Sequence, residues 1–194
     1  RTELGPSTLV ADAAGNYPAT ALTPYEVAAQ LGFTFLGSVP DPALEAAAAD
    51  PSANGLGTTA GITTQINRLL ALPAVKQNIT GIIIDWFNVR QLFDKSTKDT
   101  SLISGLAAAD QANLSGVQND LYTSTQMFVT DVLWTNNGTI NDLMTSTKVF
   151  FNRRLSMLFP GVTFSGAAPT RNTTFVAGTW PTAQGRAGML TQPS

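Results

Sequence analysis

The 194-residue sequence contains no cysteine and no histidine. Without cysteine, the chain can form neither a disulfide nor a cysteine-ligated zinc site. Without histidine, it cannot build a Ser-His-Asp triad, and it offers no histidine ligand to a metal or to haem iron. A serine or threonine nucleophile would then need a lysine to activate it, and none of the lysines lies in a recognisable motif. The residues alone indicate no catalytic activity.

Charged residues and long apolar runs are also scarce. Only 12% of the residues are charged, with a net charge of −2, whereas typical soluble domains have about 25%. Lysine and arginine are not clustered, so we expect no nucleic-acid partner. The longest apolar run, around Ile82–Ile84, is cut by Asp85, so we expect no transmembrane segment. Such a surface fits an extracytoplasmic protein or one covered by partners, with a charge-poor monomer as the alternative.

The sequence does contain enough apolar residues for a core, 43%, and clear helix-start patterns. Thr23–Glu26 forms a capping box that predicts a helix to about Leu36. Asp41 and Pro42 predict a second helix, which runs to about Ala49. Apolar spacing predicts further helices over about 61–72, 75–93, 117–135, 139–145 and 147–159. Because apolar residues reach most of the circumference of the segment 75–93, we expect that helix to be central and buried.

Both ends of the chain are predicted to be irregular. Residues 1–22 are rich in Gly, Pro, Ala and Thr and predict an extended N-terminal arm. Residues 161–194 predict an irregular C-terminal arm that leads into a following module, with one short strand at about 173–176. Between the arms, residues 23–160 predict a helical domain. The predicted fold is all-α, an irregular bundle of about six or seven helices flanked by the two arms.

Several segments, taken in order, resemble the motifs of one protein family. They are LTPYEVAAQLGFTFLGSVPDPALEAAA (22–48), QINRLLALPAV (65–75), IIDWFNV (83–89) and FFNRRLSMLFPG (150–161). This order is similar to that in a family of long exported proteins of unknown function, abundant in planctomycetes and myxobacteria. The final RAGMLTQPS (186–194) is similar to the start of that family's next module. The resemblance covers about residues 22–194.

The resemblance has implications for context rather than for chemistry. Proteins of that family carry export signals and often accompany cytochrome c modules, which implies an extracytoplasmic chain. The implied partners are the remaining modules of the same polypeptide or other subunits of an assembly, with haem c in neighbouring modules and no cofactor in this chain. We expect residues to precede Arg1, and Ser194 to mark a cleavage point or the limit of the ordered chain. Neither catalytic nor metal-binding residues are implied.

A few charged side chains are candidates for a structural role. Asp85 lies in the predicted buried helix, where a carboxylate is costly unless it is paired. We therefore predict that it pairs with Arg90, Arg68 or the adjacent Arg153 and Arg154. The two adjacent arginines could instead bind a carboxylate or a haem propionate, or form a surface pair. The loop 94–99 holds two carboxylates but lacks the ligands of a calcium site, so we expect it to be solvated.

The aromatic and C-terminal residues are candidates for contacts. We expect Trp86, Trp134 and Trp180 to be core or interface anchors. The predicted partner-interface residues are Trp180, Arg186, Met189 and Leu190, of which Met189 and Leu190 should be covered by downstream or partner residues.

Together these features favour a non-catalytic helical scaffold or interaction domain of a larger exported bacterial protein, associated with haem-containing electron-transfer modules. The alternative is a segment of an exported oxidoreductase or polysaccharide-acting enzyme whose reactive groups lie outside this chain. A pair of carboxylates facing a cleft would favour the enzyme. A carbohydrate-binding module, the third possibility, would need coplanar exposed aromatic rings.

Overall fold

The computed structural model describes residues 22–89 and 103–192. The predicted loop 94–99, and all but the last residue of the predicted N-terminal arm, lie outside these ranges. The chain divides into two compact units, residues 1–79 and 80–194.

The first unit consists of short helices that begin at the predicted caps. Thr23 accepts a hydrogen bond from the Glu26 backbone N–H at 3.3 Å, and the Glu26 carboxylate accepts one from the Thr23 backbone N–H at 2.7 Å. This capping box confirms the predicted helix start. The elements of the unit are α1 (Pro24–Leu31), a π-helical turn (Gly32–Leu36), α2 (Pro42–Ala49), α3 (Thr59–Ala71) and the first part of α4 (Pro73–Trp86).

The core of the first unit forms where α1 packs on α2. Alanines on both helices allow a close approach, and leucines from the following segments fill the remaining space. Its buried members are Ala28, Leu31, Leu44, Ala47, Ala48, Leu56, Leu69 and Val75.

An ion pair joins α2 to α3 at the surface of this core. The two terminal nitrogens of Arg68 bind the two carboxylate oxygens of Asp41, at 2.8 Å and 2.9 Å. Asp41 also caps α2, because its Oδ1 accepts the backbone N–H of Leu44 at 2.9 Å. The hydrogen bonds from Arg68 are the largest cause that lowers the pKa of Asp41 below its ordinary value.

The second unit combines helices with a small sheet. Asn113 caps the helix Leu114–Thr130, which continues into a π-helical turn, Asp131–Thr135. Together the two elements lie close to the helix predicted over 117–135. In the described part of the second unit, the α-helices after α4 are α5 (Ala108–Gln111), α6 (Leu114–Thr130), α7 (Ile140–Thr145) and α8 (Arg153–Leu158), and the strands are β1 (Lys148–Phe151), β2 (Thr163–Phe164) and β3 (Val176–Thr179).

The sheet corrects the prediction of one helix over 147–159. The strand order is β1-β3-β2 with antiparallel pairing, and Lys148 and Thr163 both lie opposite Thr179. The β-branched and aromatic residues of β1 favour a strand once β3 supplies hydrogen bonds. Asn152 then caps α8 by accepting the N–H of Leu155 at 3.0 Å. The all-α prediction is therefore approximately right, since the chain is mostly helical but contains a three-stranded sheet.

The core of the second unit surrounds Trp180, which is 2% exposed. The indole meets Phe151 and Phe159 edge-on, with ring centroids 5.4 Å and 6.0 Å apart. The segment predicted as a C-terminal arm thus contributes two strands and a central core side chain. The buried members of this cluster are Ile103, Leu106, Val117, Leu121, Val149, Phe151, Leu155 and Trp180.

We predict that Arg68→Met lowers the free energy of unfolding by about 1 kcal/mol at neutral pH, because the ion pair is partly exposed to solvent. Since the pKa of Asp41 is lowered in the folded state, the pair stabilises the fold above the ordinary pKa of the carboxyl. That contribution is lost as the pH falls through the lowered value. Urea unfolding at about pH 7 and about pH 2 measures both free energies.

Asp41→Asn is the matched variant, because asparagine caps a helix as well as aspartate does. It should cost about as much as Arg68→Met. A loss in Arg68→Met that stays the same at both pH values would contradict the role of the ion pair.

Candidate functional site

A buried cluster of charges holds α8 in place. Asp110 is 6% exposed, and its carboxylate is hydrogen-bonded by Arg153 Nη2 and, at 3.2 Å, by the Asn172 side-chain amide. Arg154 Nε lies 3.1 Å from Asp110 Oδ1, and Arg154 Nη1 lies 3.2 Å from Asp120 Oδ2. Two arginines therefore balance two carboxylates in one network.

The pKa shift and the burial of the charged atoms in this network are typical of a structural cluster. Burial is the largest cause that raises the pKa of Asp120, and the nearby carboxylate of Asp110 adds to the rise. Contact with the Asn152 amide and the charge of Arg154 oppose it. The Asp120 Oδ2 and Arg154 Nη1 atoms are both shielded from solvent. A substrate has no access to these atoms, so the carboxylate pair does not face a cleft.

The predicted partner of the arginine pair differs from the one observed. Arg153 and Arg154 bind Asp110, and Arg68 binds Asp41. Asp85 is exposed on α4, so the burial that motivated its predicted pairing is absent. Arg90 lies outside the described residues. The sequence around Asp110, Ala107–Gln111, carries no pattern that would have identified this carboxylate.

An apolar groove lies between the end of α4 and α7. It has a volume of about 350 Å³, and every lining side chain is apolar. Trp86 is 74% exposed and Ile140 is 60% exposed, and the rings of Trp86 and Phe87 lie 5.5 Å apart. The lining residues are Ile83, Trp86, Phe87, Ile140, Leu143 and Met144.

The exposure of Trp86 corrects the prediction that this helix is central and buried. Ile83 and Ile84 are buried, whereas Ile82 is 59% exposed. The buried side is held by Thr80, whose hydroxyl accepts a hydrogen bond from Trp134 Nε1 at 3.0 Å. In the sequence, the apolar residues reach most of the circumference of this helix. Such a pattern is typical of a buried helix but also of a helix whose outer face binds a partner.

The opposite wall of the groove is fixed by the N-terminus of α7. Thr139 and Asp142 form a capping box, in which the Asp142 carboxylate accepts the Thr139 backbone N–H at 2.7 Å. Leu143 is buried, while Ile140 and Met144 lie one turn apart on the outer face. The sequence analysis predicted this helix but did not single out its two outer residues.

The four predicted partner-interface residues have different environments. Trp180 and Met189 are buried within the second unit, so their side chains are covered by residues of this chain. Arg186 is half-buried against Trp180. Leu190 is 72% exposed and could meet a partner.

Gly188 explains how the last described turn packs. Its φ is 69°, and its N–H donates to the Ser146 carbonyl at 2.7 Å. A Cβ at this position would collide with the Met144 carbonyl oxygen. Only glycine fits such a close approach with this backbone conformation, and the approach brings Met189 into the interior.

Within residues 22–89 and 103–192, no group of three or more acidic side chains could hold a metal ion. In the same ranges, no helix combines the length and the apolar character needed to cross a bilayer.

We predict that Asp110→Asn lowers the free energy of unfolding by about 3 kcal/mol, because two arginines lose their shared carboxylate. Asp120→Asn should cost less, about 1 kcal/mol, since burial already opposes ionisation of Asp120. Thermal unfolding followed by circular dichroism measures both changes.

The pH dependence of stability gives a further test of the role of Asp120. Because the pKa of Asp120 is raised in the folded state, its favourable contribution is present below the ordinary pKa and is lost as the pH rises through the raised value. The deficit of Asp120→Asn should therefore shrink as the pH rises over that window. If Asp120→Asn lowers the free energy of unfolding more than Asp110→Asn does, Asp110 is not the main carboxylate of the cluster and the prediction is wrong.

Residues 22–160 match PSD4, described as a protein of unknown function (DUF1592). No curated protein and no solved structure matches the chain. Because the match covers well over half of the sequence, this chain belongs to the PSD4 (DUF1592) family of proteins of unknown function.

Proposed function

We propose that this chain is a non-catalytic interaction domain of a larger exported protein, and that its apolar groove binds an amphipathic segment of a neighbouring module. The observation that carries the proposal is the exposure of Trp86 in a groove with only apolar side chains around it. Exposed apolar side chains grouped in this way are typical of sites that bind another polypeptide.

The chemistry of the groove favours a polypeptide over an ion or a sugar. Trp86 and Phe87 provide the large aromatic area typical of the residues that dominate protein interfaces. The outer residues of α7, Ile140 and Met144, provide a second apolar wall. With no charged group in the lining, an occupant gains most by inserting apolar side chains spaced along one helix face.

The low fraction of charged residues favours a partner that covers the surface around the groove as well as the groove itself. A stable interface typically buries about 1,200–2,000 Å² in total, more than one groove provides. Because only 12% of the residues of the chain are charged, a partner can cover a wider area of it with less desolvation of charge. The exposed Leu190 is one candidate for this wider contact.

The resemblance of the sequence to exported proteins with cytochrome c modules makes a haem-bearing neighbour the first partner to test. The chain would then position that module rather than take part in electron transfer. The alternative of an exported oxidoreductase or polysaccharide-acting enzyme calls for reactive carboxylates at a cleft. Asp110 and Asp120 do not support it, because both are buried in an ionic network.

The test measures binding of this chain to the flanking modules of its natural polypeptide, expressed separately. Trp86→Ser and Ile140→Ser should each weaken the complex by roughly 10- to 30-fold, as expected for interface anchors. Phe33→Ser is the matched control, because Phe33 is about as exposed as Ile140, 61% against 60%, but belongs to the first unit. It should change the dissociation constant by less than about twofold.

Two results would overturn the proposal. One is the absence of binding to any flanking module by the folded wild-type chain. The other is an equal loss in Trp86→Ser and Phe33→Ser. If sedimentation shows a dimer that Trp86→Ser dissociates, the occupant is a second copy and the proposed neighbour is wrong.

A further inference from the structure

Arg186 is held against two aromatic rings in the second unit. Its guanidinium carbon lies 4.7 Å from the centroid of the Trp180 ring and 5.5 Å from that of Phe159. Trp180 itself is fixed in the core by its edge-on contacts, so the cation rests on a rigid surface. Contact with aromatic rings does not use the N–H groups of a guanidinium as hydrogen bonds to an acceptor would, so these donors stay available.

The other three half-buried arginines of the described residues have acceptors. Arg68 binds Asp41, and Arg153 and Arg154 lie beside Asp110. Within the same described ranges, Arg186 contacts the two rings but has neither a carboxylate nor a hydrogen-bond acceptor. A positioned guanidinium with unused donors is suited to binding an anion from outside the chain.

Arg186 lies at the edge of a pocket of about 350 Å³. The pocket combines one cation and one amide with apolar and aromatic side chains, and it contains no carboxylate that would repel an anion. The amide of Gln184 donates to the Pro160 carbonyl at 3.2 Å, which fixes that wall. The lining residues are Leu158, Phe159, Pro160, Trp180, Gln184 and Arg186.

From this arrangement we infer that the pocket binds a small carboxylate with an apolar or aromatic body. The carboxylate would accept two parallel hydrogen bonds from the guanidinium of Arg186. Its apolar body would lie against Phe159 and the proline. The volume is at the lower end of the range for small-molecule sites, about 300–1,000 Å³, which suits a ligand the size of one aromatic ring.

This site is separate from the apolar groove, because the two share no lining residue. The groove lacks any cation and would bind apolar segments, whereas the Arg186 pocket requires a negative charge. Failure of either proposal therefore leaves the other intact.

The experiment is a titration of the isotope-labelled chain with sodium benzoate, followed by NMR at the Arg186 Nε–H and Trp180 indole N–H resonances. We expect saturable shifts at both. Benzyl alcohol has the same ring without the charge, and it should bind at least about tenfold more weakly, because the guanidinium loses its anionic acceptor. Equal binding of benzoate and benzyl alcohol would overturn the carboxylate site, and so would shifts with inorganic phosphate but not with benzoate.

Variants locate the site. Arg186→Met removes the charge and should abolish the benzoate shifts at Trp180. Arg186→Lys keeps the charge without the planar fork and should weaken binding about fivefold or more. Arg171→Met is the control, because Arg171 is an exposed arginine of the same unit and should leave binding unchanged. If Arg186→Met does not fold, the affinity of Arg186→Lys for benzoate is the test. An affinity equal to that of the wild-type chain would contradict the inference.

Discussion

The second unit depends on the cost of burying Asp110. A buried carboxylate must be paired, and Asp110 meets this requirement through both arginines at the start of α8. Arg154 also reaches Asp120 on α6, so one network joins α5, α6 and α8. Once α8 is fixed in this way, β1 before it is placed against α6, and the side chains of β1 enter the core. The charges thus determine which helices meet, and apolar packing fills the space between them.

Ion pairing within the chain helps to explain which chemical groups remain available at its surface. Three of the described arginines are already bound to carboxylates, in a chain with few charged residues. The second unit instead presents two sites of contrasting chemistry, an apolar groove beside Trp86 and a pocket whose cation is Arg186. One is suited to a polypeptide and the other to a small anion. Selective binding of the kind proposed for these two sites requires neither histidine nor cysteine.

The helix starts could be predicted because capping is local chemistry. The capping interactions of Thr23–Glu26 and of Asp41 form between residues no more than three positions apart in the sequence. The strand Lys148–Phe151 could not be predicted, since its partner β3 lies more than twenty residues further along the chain. Asp110 is likewise far in sequence from its arginines. Periodicity found the apolar residues of α4 but could not distinguish the side that faces the core from the side that exposes Trp86, so the groove emerged only from the structure.

The sheet also bears on how the chain should be divided for experiments. The family match ends at residue 160, after β1 but before the other two strands of the sheet. Of these, β3 pairs with β1, and β2 pairs with β3. A recombinant fragment cut there would expose the backbone edge of β1 and remove the indole that packs on Phe151. An open edge beside uncovered aromatic rings invites pairing between molecules. The segment that defines family membership is therefore shorter than the segment that can be handled as a protein, and expression boundaries should follow the hydrogen-bonded sheet.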